Sequence, residues 1–346
     1  MKRLLQTIYL ALTTIERRFF DIFNFLVYRP KARVISVGNL SMGGTGKTPV
    51  LFELISELQQ QSRLCILSRG YKSPWERSFY HLQGKGPHPT GLTDEALLLN
   101  RRFPEIPVLL GKNRHHAAIV GEQRLAPDIL LLDDGFQYRR LQKDIELLLW
   151  DAMSEATEAQ LLPAGRLREP VFRLLQADAI LLTRCESATQ DKIDFWQNWL
   201  NEKAPNVPVI AVKTECDGMF DHLGNRLPES QIKTDCLAFS AIGRPAAFYA
   251  QLAAVGCRVC ERVEFRDHHQ FSASELQKLG QQGKEKHLRL VCTEKDFCKI
   301  SSQTAAEMHL QVLRIRTIPL SGRSFTAELA AQGIRLQQET ASATFS

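Results

Sequence analysis

Eight consecutive residues, Ser41, Met42, Gly43, Gly44, Thr45, Gly46, Lys47 and Thr48, have the types and spacing of a polyphosphate cradle. Glycines let backbone N–H groups turn inward around phosphate oxygens, and a helix starting at the end of the loop adds its dipole. A lysine at the place of Lys47 reaches the β- and γ-oxygens, and a hydroxyl at the place of Thr48 ligates Mg2+. Ser41 stands where the G-x-x-x-x-G-K-[ST] pattern has glycine. That position shapes the entry to the loop and meets phosphate less directly. A chance Gly-rich turn is the bland alternative. Against it, a β-branched run, Arg33 to Val37, leads into the loop and a helical pattern, Pro49 to Leu58, follows.

Such a loop needs a carboxylate at the end of a neighbouring strand to hold the metal. Ile129-Leu-Leu-Leu ending in Asp133 and Asp134 supplies it, with either acid as the direct ligand. A nucleotide polyphosphate and Mg2+ are therefore expected at the loop, and nucleotide hydrolysis or phosphoryl transfer is the expected chemistry. A GTPase should carry Asn/Thr-Lys-x-Asp, whereas Thr293-Glu-Lys-Asp296 has the wrong order. Membrane-partitioning ATPases carry Lys before the Gly-Gly of the loop, and Met42 stands there instead.

The elements that must position these groups follow from periodicity. Short apolar runs at 64–67, 108–110, 128–133, 146–150 and 179–183 alternate with helical patterns at 94–100 and 113–120, while 72–93 reads as a long loop. The pattern predicts an α/β, P-loop NTPase-like fold: a doubly wound, mostly parallel sheet with a second, smaller α/β domain and an N-terminal amphipathic helix. Strand candidates at 209–213, 236–239, 288–292 and 312–315, with helices near 245–254 and 273–282, make up the smaller domain. Expected domains are residues 1–30 (the helix), 31–207 (nucleotide binding), 208–336 (the smaller domain) and 337–346 (a flexible tail).

Length and composition agree: 346 residues, 44% hydrophobic and 24% charged, exclude a disordered chain and a small disulfide scaffold. Eight cysteines without framework spacing point to a reducing compartment. A charge of +6 is too mild for a nucleic-acid signature and suits anionic lipid or substrates. At the N-terminus, Leu5, Ile8, Leu12, Ile15, Phe19, Phe23 and Leu26 recur at helical spacing. The charge-free run Leu4 to Ile15 is shorter than the roughly 20 residues a bilayer span needs. Two readings follow: the helix packs on the protein's own core, or it lies on a membrane with Phe19, Phe20 and Phe23 immersed and Lys2, Arg3, Arg17 and Arg18 among headgroups.

Longer strings make the chain recognisable. Val37-Gly-Asn-Leu-Ser-Met-Gly-Gly-Thr-Gly-Lys-Thr-Pro49 resembles the opening of the tetraacyldisaccharide 4′-kinases of lipid A biosynthesis. So do Ser68-Arg-Gly-Tyr71, Asp94-Glu-Ala-Leu97, Asp133-Asp-Gly-Phe-Gln137, Leu161-Leu-Pro-Ala-Gly-Arg-Leu-Arg-Glu-Pro170, Asp267-His-His269 and Thr293-Glu-Lys-Asp296. The resemblance implies transfer of the γ-phosphoryl of ATP to the 4′-hydroxyl of a tetraacylated glucosamine disaccharide 1-phosphate. It also implies a monotopic or peripheral position at the cytoplasmic face of the Gram-negative inner membrane, with an acylated disaccharide lipid and the membrane surface as partners. Neither nucleic acid nor a protein partner is implied. The family usually has His after Asp-Asp-Gly-Phe-Gln; Tyr138 stands here, so position 138 is given no proton-transfer role. The competing readings are a P-loop kinase of a soluble metabolite and a membrane-associated switch ATPase.

A sugar hydroxyl is a poor nucleophile, so a positioned base helps as its proton leaves. Asp94, at a helix start after the long loop, is the candidate, and the family's Asp–His pairing suggests His268 as the group that orients or shares the proton. Lys47, Asp94 and Asp134 are expected on the first domain and His268 on the second. Asp94 also follows Thr93, so a helix cap is the plain alternative. Glu95 either bears on the metal or merely starts the helix. Arg114, Arg166 and Arg168 are candidates for substrate or nucleotide phosphate, with surface salt bridges as the common alternative. Glu169, in a Pro-flanked turn, is a candidate nucleotide contact. Cys257-Arg-Val-Cys260 has metal-like spacing but no second pair to complete a site, and reads as a buried strand edge.

Overall fold

The computed structural model describes all residues except 1, 85, 87, 88 and 338–346, so the expected tail lies outside the described residues apart from Gln337. The chain forms two compact units. The first holds residues 2–91, 104–214 and 317–337; the second holds 92–103 and 215–316.

Among the described residues twelve strands form: β1 (Arg33–Asn39), β2 (Leu64–Ser68), β3 (Tyr80–Leu82), β4 (Val108–Leu110), β5 (Ile129–Asp133), β6 (Ile145–Asp151), β7 (Ala179–Thr183), β8 (Val209–Phe220), β9 (Asp235–Ser240), β10 (Arg258–Glu264), β11 (Arg289–Thr293) and β12 (Gln311–Pro319). In the first unit their order is β8-β7-β6-β1-β5-β2-β4-β3. Its pairs are parallel except β3, which runs antiparallel to β4. The order reverses direction around β1, which places its carboxyl end, and the loop after it, where doubly wound sheets bind ligands. In the second unit the order is β10-β9-β11-β12, again parallel.

Burial explains the strands. Ile129 to Leu132 are buried without polar interruption, as a strand covered on both faces requires. On one face Val34, Cys65, Leu67, Leu130 and Leu132 meet Ala117 and Ala118 of a helix, Arg114–Leu125. On the other, Leu148, Trp150, Ile180 and Leu182 meet Trp196 and Leu200 of Gln190–Lys203. The segment 72–93 is not wholly loop: Trp75 packs on Tyr80 with ring centroids 4.5 Å apart, which seats β3 at the sheet edge. The chain returns to the first unit at its end, where the Glu57 carboxylate accepts the N–H groups of Phe325 and Thr326, both at 2.8 Å.

The helix Lys2–Ile22 precedes the sheet. Ile15, Phe19, Ile22 and Phe23 are exposed large apolar residues, and Phe25 just beyond is 80% exposed. The side chains of Lys2, Arg3, Leu5, Ile8, Leu12 and Arg17 lie outside the described residues. Tyr9 anchors the helix, its hydroxyl donating to the Arg168 carbonyl at 2.9 Å. No helix among the described residues is long and apolar enough to cross a membrane.

Asp94 departs from expectation. Its helix, Asp94–Arg102, belongs to the second unit. Arg101 donates to the carbonyls of Phe297 (2.7 Å) and Ile300 (3.3 Å), and Arg102 pairs with Glu294 at 3.1 Å. These long-range side-chain bonds leave no trace in the local pattern. Cys260 likewise corrects the reading of a buried edge: Cys257 is buried, but Cys260 is exposed on β10, an outer strand of alternating exposure.

Candidate functional site

In the first unit, β1 ends at Asn39, and residues 40–46 lead into a helix, Lys47–Leu58. Gly43 (φ +107°) and Gly46 (φ +82°) occupy backbone conformations that side-chain-bearing residues rarely adopt. A strip of chain holds the loop from one side: Met42 N–H donates to Arg166 O (2.8 Å) and Arg168 N–H to Leu40 O (2.6 Å). From below, the Thr183 hydroxyl at the end of β7 donates to Thr45 O at 2.7 Å. The loop is thus fixed by the Met42 amide and by the carbonyls of Leu40 and Thr45, while the helix N-terminus beyond it suits an anion.

Lys47 Nζ lies 3.2 Å from Asn39 Oδ1 and 3.4 Å from Asp134 Oδ1. Arg168 bridges the same two residues, with Nη2 at 2.6 Å from Asn39 Oδ1 and 3.1 Å from Asp134 Oδ1. Burial pushes the Asp134 carboxyl up, but Lys47 and Arg168 outweigh it and hold it below its ordinary value. Asp133, the last residue of β5, sits in register with Val37 and accepts from Ser68 Oγ at 3.1 Å. Buried Arg114 supports both acids from behind, its Nη1 donating to the carbonyls of Asp133 (3.2 Å) and Asp134 (3.0 Å). Its guanidinium stacks on Tyr138 at 4.3 Å, and the Tyr138 hydroxyl accepts His115 N–H at 2.8 Å. Tyr138 is therefore a packing residue here.

The donor set suits Mg2+. The Thr48 hydroxyl and two strand-end carboxylates are hard oxygen ligands, and Mg2+ typically takes one or two carboxylates and fills its sphere with water and phosphate. Asn39 Nδ2 and Thr45 Oγ1 are buried without a partner among the described residues, polar groups left over beside the loop.

The second unit carries the other candidates. Thr93, not Asp94, caps the helix, its hydroxyl accepting Ala96 N–H at 3.2 Å. The buried Asp94 side chain turns instead toward His268, with Oδ2 2.9 Å from Nδ1. Gln270 Nε2 lies 3.4 Å from Asp94 Oδ1, and the Lys299 ammonium, wholly buried, lies 3.4 Å from Oδ2. Lys299 also bonds Asp296, at 3.3 Å. His268 has φ +62° and donates its N–H to Ala241 O at 3.2 Å. Its Nε2 is 3.4 Å from Lys295 Nζ. The ring thus presents Nδ1 to Asp94 and Nε2 to Lys295.

The structure therefore brings Lys47, Asp134 and Arg168 together, sets Asp133 beside them on the next strand, and separately joins Asp94 to His268. Glu95 is half-buried in the second unit, whereas Thr48, Asp133 and Asp134 belong to the first. Arg166 pairs with Glu158 at 3.2 Å, and Glu169 is buried between Arg139 (3.4 Å) and Arg173 (3.6 Å). Asn39, Ser68, Gln270 and Lys299 escaped the sequence reading. Asn39 had a signal, a polar residue closing a buried strand before the loop; Lys299 had only its spacing of three from Asp296.

Fold and loop define the class: a P-loop protein with the apparatus for nucleotide phosphates. A family model for tetraacyldisaccharide-1-P 4′-kinases matches residues 2–333, and the chain belongs to that family. Among relatives, the tetraacyldisaccharide 4′-kinase of Halothermothrix orenii is 28% identical over 86% of this chain and 82% of its own length. That of Anaeromyxobacter sp. strain Fw109-5 is 32% identical over 85% of this chain and 81% of its own. The crystal structure of LpxK from Aquifex aeolicus, an "apo" form in complex with ATP, matches with a TM-score of 0.71 and 25% identity. That match covers 95% of this chain and 96% of the other. The recognised strings and the expected fold class are borne out.

Proposed function

We propose that this kinase works at a membrane surface and divides its reaction between two sets of residues, one for ATP and one for the acceptor hydroxyl. The reaction is that of its family: the γ-phosphoryl group of ATP passes to the 4′-hydroxyl of tetraacyldisaccharide 1-phosphate, a lipid A precursor. The loop from Ser41 to Thr48 holds the phosphates through backbone N–H groups, and Lys47 meets charge on the β- and γ-oxygens. Thr48, Asp133 and Asp134 hold Mg2+, which neutralises phosphate charge when bound. Arg168 keeps Asp134 in place and lies ready to share its guanidinium with phosphate.

The observation that carries the acceptor half is the Asp94–His268 pair. Asp94 holds the ring, and the pair together receives the proton as the sugar oxygen attacks. Arg166 and Glu169 are given no part, because ion pairs with Glu158 and with Arg139 and Arg173 already engage them. The exposed face of Ile15, Phe19, Ile22 and Phe23 supports seating at the inner membrane's cytoplasmic face, since a helix packed on its own core would bury it.

The test is transfer of labelled γ-phosphate from ATP to tetraacyldisaccharide 1-phosphate in detergent micelles, with Lys47→Ala as control. Product with the wild type and none with the variant is expected. ATP binding without product would discard the acceptor. For the membrane part, deletion of residues 1–28 should abolish flotation with liposomes; unchanged flotation would overturn it.

A further inference from the structure

Beyond the last turn of the N-terminal helix the chain is stitched to the segment after Tyr138. Tyr28 N–H donates to Arg140 O at 3.1 Å and Gln142 N–H to Tyr28 O at 2.8 Å. This junction walls an open cleft of about 540 Å3 lined by Phe25, Leu26, Tyr28, Arg29, His115 and Arg140. The cleft lies wholly within the first unit, and none of these side chains takes part in the phosphate loop or the Asp94–His268 pair.

Its walls are of two kinds. Arg29 and Arg140 are exposed cations, and His115 stands half-buried with its ring 5.2 Å from that of Tyr28. The positive charge of the cleft is that of Arg29 and Arg140, while burial first, and then the charges of Arg140 and His116, hold His115 below its ordinary value. The neighbouring carboxylate is engaged within the junction itself. Glu122 is committed to the Tyr28 hydroxyl (2.5 Å) and the N–H groups of Lys31 (2.5 Å) and Ala32 (2.9 Å). The other wall is apolar and continues outward: Phe25 lies 5.9 Å from Phe23, and Phe23 4.7 Å from Phe19, all three exposed.

We propose that this cleft binds the phosphate headgroup of an anionic glycerophospholipid of the bilayer, with Arg29, Arg140 and His115 on the phosphate and Phe25 against the acyl chains. The proposal rests on the membrane-surface reading above and adds a specific headgroup contact to it. A free phosphate ion would use the cations but not the aromatic row leading to them. A neutral lipid would use the row but not the cations. Only an anionic amphiphile satisfies both. The bound lipid would fix where the helix leaves the bilayer, since the same junction ties Tyr28 to Arg140.

The full-length protein is sedimented with vesicles of phosphatidylcholine alone and with added phosphatidylglycerol. The wild type is expected to prefer the anionic vesicles. Arg29→Gln/Arg140→Gln is expected to lose that preference by about tenfold or more while keeping its binding to phosphatidylcholine. A charge-matched control, Arg63→Gln/Lys203→Gln, should lose less than about twofold. Equal losses in both variants would mean diffuse attraction and overturn the site. A wild type that binds both vesicles alike would overturn the site but leave the membrane-surface reading standing; one that binds neither would overturn both. In neutral detergent micelles the cleft variant should keep the wild-type KM for the acceptor. A raised KM would show that the cleft reads the acceptor's own phosphate. Short-chain phosphatidylglycerol below its micelle concentration should shift the His115 ring signals, and the same shift with inorganic phosphate alone would reduce the cleft to an ion site.

Discussion

The phosphate loop of the first unit and the Asp94–His268 pair of the second are built on opposite plans. The loop is one contiguous stretch whose working groups are mostly backbone, fixed by backbone bonds to the neighbouring strip, and its lysine is partly open to solvent. The pair joins residues 174 apart, and behind it stand Lys299 and Asp296, both without solvent exposure. Holding a polyphosphate requires many weak donors that a turn and a helix start can supply together. Moving one proton, the part proposed for the pair, requires a few charges in a fixed arrangement, which only tertiary packing assembles.

The sharpest way to test that contrast is to remove one charged group from each half. Lys47→Ala should weaken ATP binding and abolish transfer. Asp94→Ala should bind ATP as the wild type does and lose about 10²–10⁴-fold in kcat. ATP titration calorimetry and single-turnover transfer in micelles separate the two. If Asp94→Ala weakens ATP as much as Lys47→Ala, the division of labour is wrong.

Next in size is the buried support of the pair. Lys299→Met leaves the carboxylates of Asp94 and Asp296 without their shared cation, and breaking such a buried arrangement costs about 3–5 kcal/mol. Amide exchange should accelerate in β9 and β11 and stay unchanged in β1. Uniform acceleration would mean that the two units unfold together.

How much of this was legible in sequence follows the same division. The loop, the acids after β5 and the buried strands could be read because each is local: a motif, an apolar run, a change of period. The Thr93–Asp94 ambiguity could not be resolved, since either residue type caps a helix, and only the fold shows Thr93 bonded to Ala96 and Asp94 turned to His268. The unit to which Asp94 belongs was misread because Arg101 and Arg102 bind partners about 200 positions away. β3 was missed because three residues carry no periodicity and its edge position is set by β4.

A smaller effect is expected in the first unit from a glycine that the motif does not require. A Cβ on Gly38 would lie 2.7 Å from Phe136 Cβ and 2.8 Å from Phe136 N, a backbone atom that cannot swing away. Gly38→Ala must part β1 from the turn that carries Asp134, at about 1–3 kcal/mol for overpacking. A fall in melting temperature with weaker ATP binding is expected. Normal ATP affinity would show that the turn adjusts independently of the loop.

The smallest effects distinguish the units by pH. In the first, the Glu122 hydrogen bond, with burial and the charge of Glu122 adding to it, raises the Tyr28 hydroxyl from 10.0 to about 12. A raised value gives stability that is complete below the ordinary one and lost as pH rises from 10 toward 12. In the second, the Ser272 N–H, the Ser272 hydroxyl and His269 lower Glu275 from 4.5 to about 2. That contribution is complete above pH 4.5 and lost as pH falls toward 2, because the helix cap Ser272–Glu275 needs the ionised carboxylate. The first unit should therefore loosen locally at the alkaline end and the second at the acid end. Ultraviolet titration of tyrosine and carboxyl carbon shifts of Glu275 measure the two. Tyr28→Phe should remove the alkaline step and leave the acid one. An acid step that vanished with it would show that the two contributions are coupled through the fold, rather than belonging each to its own unit.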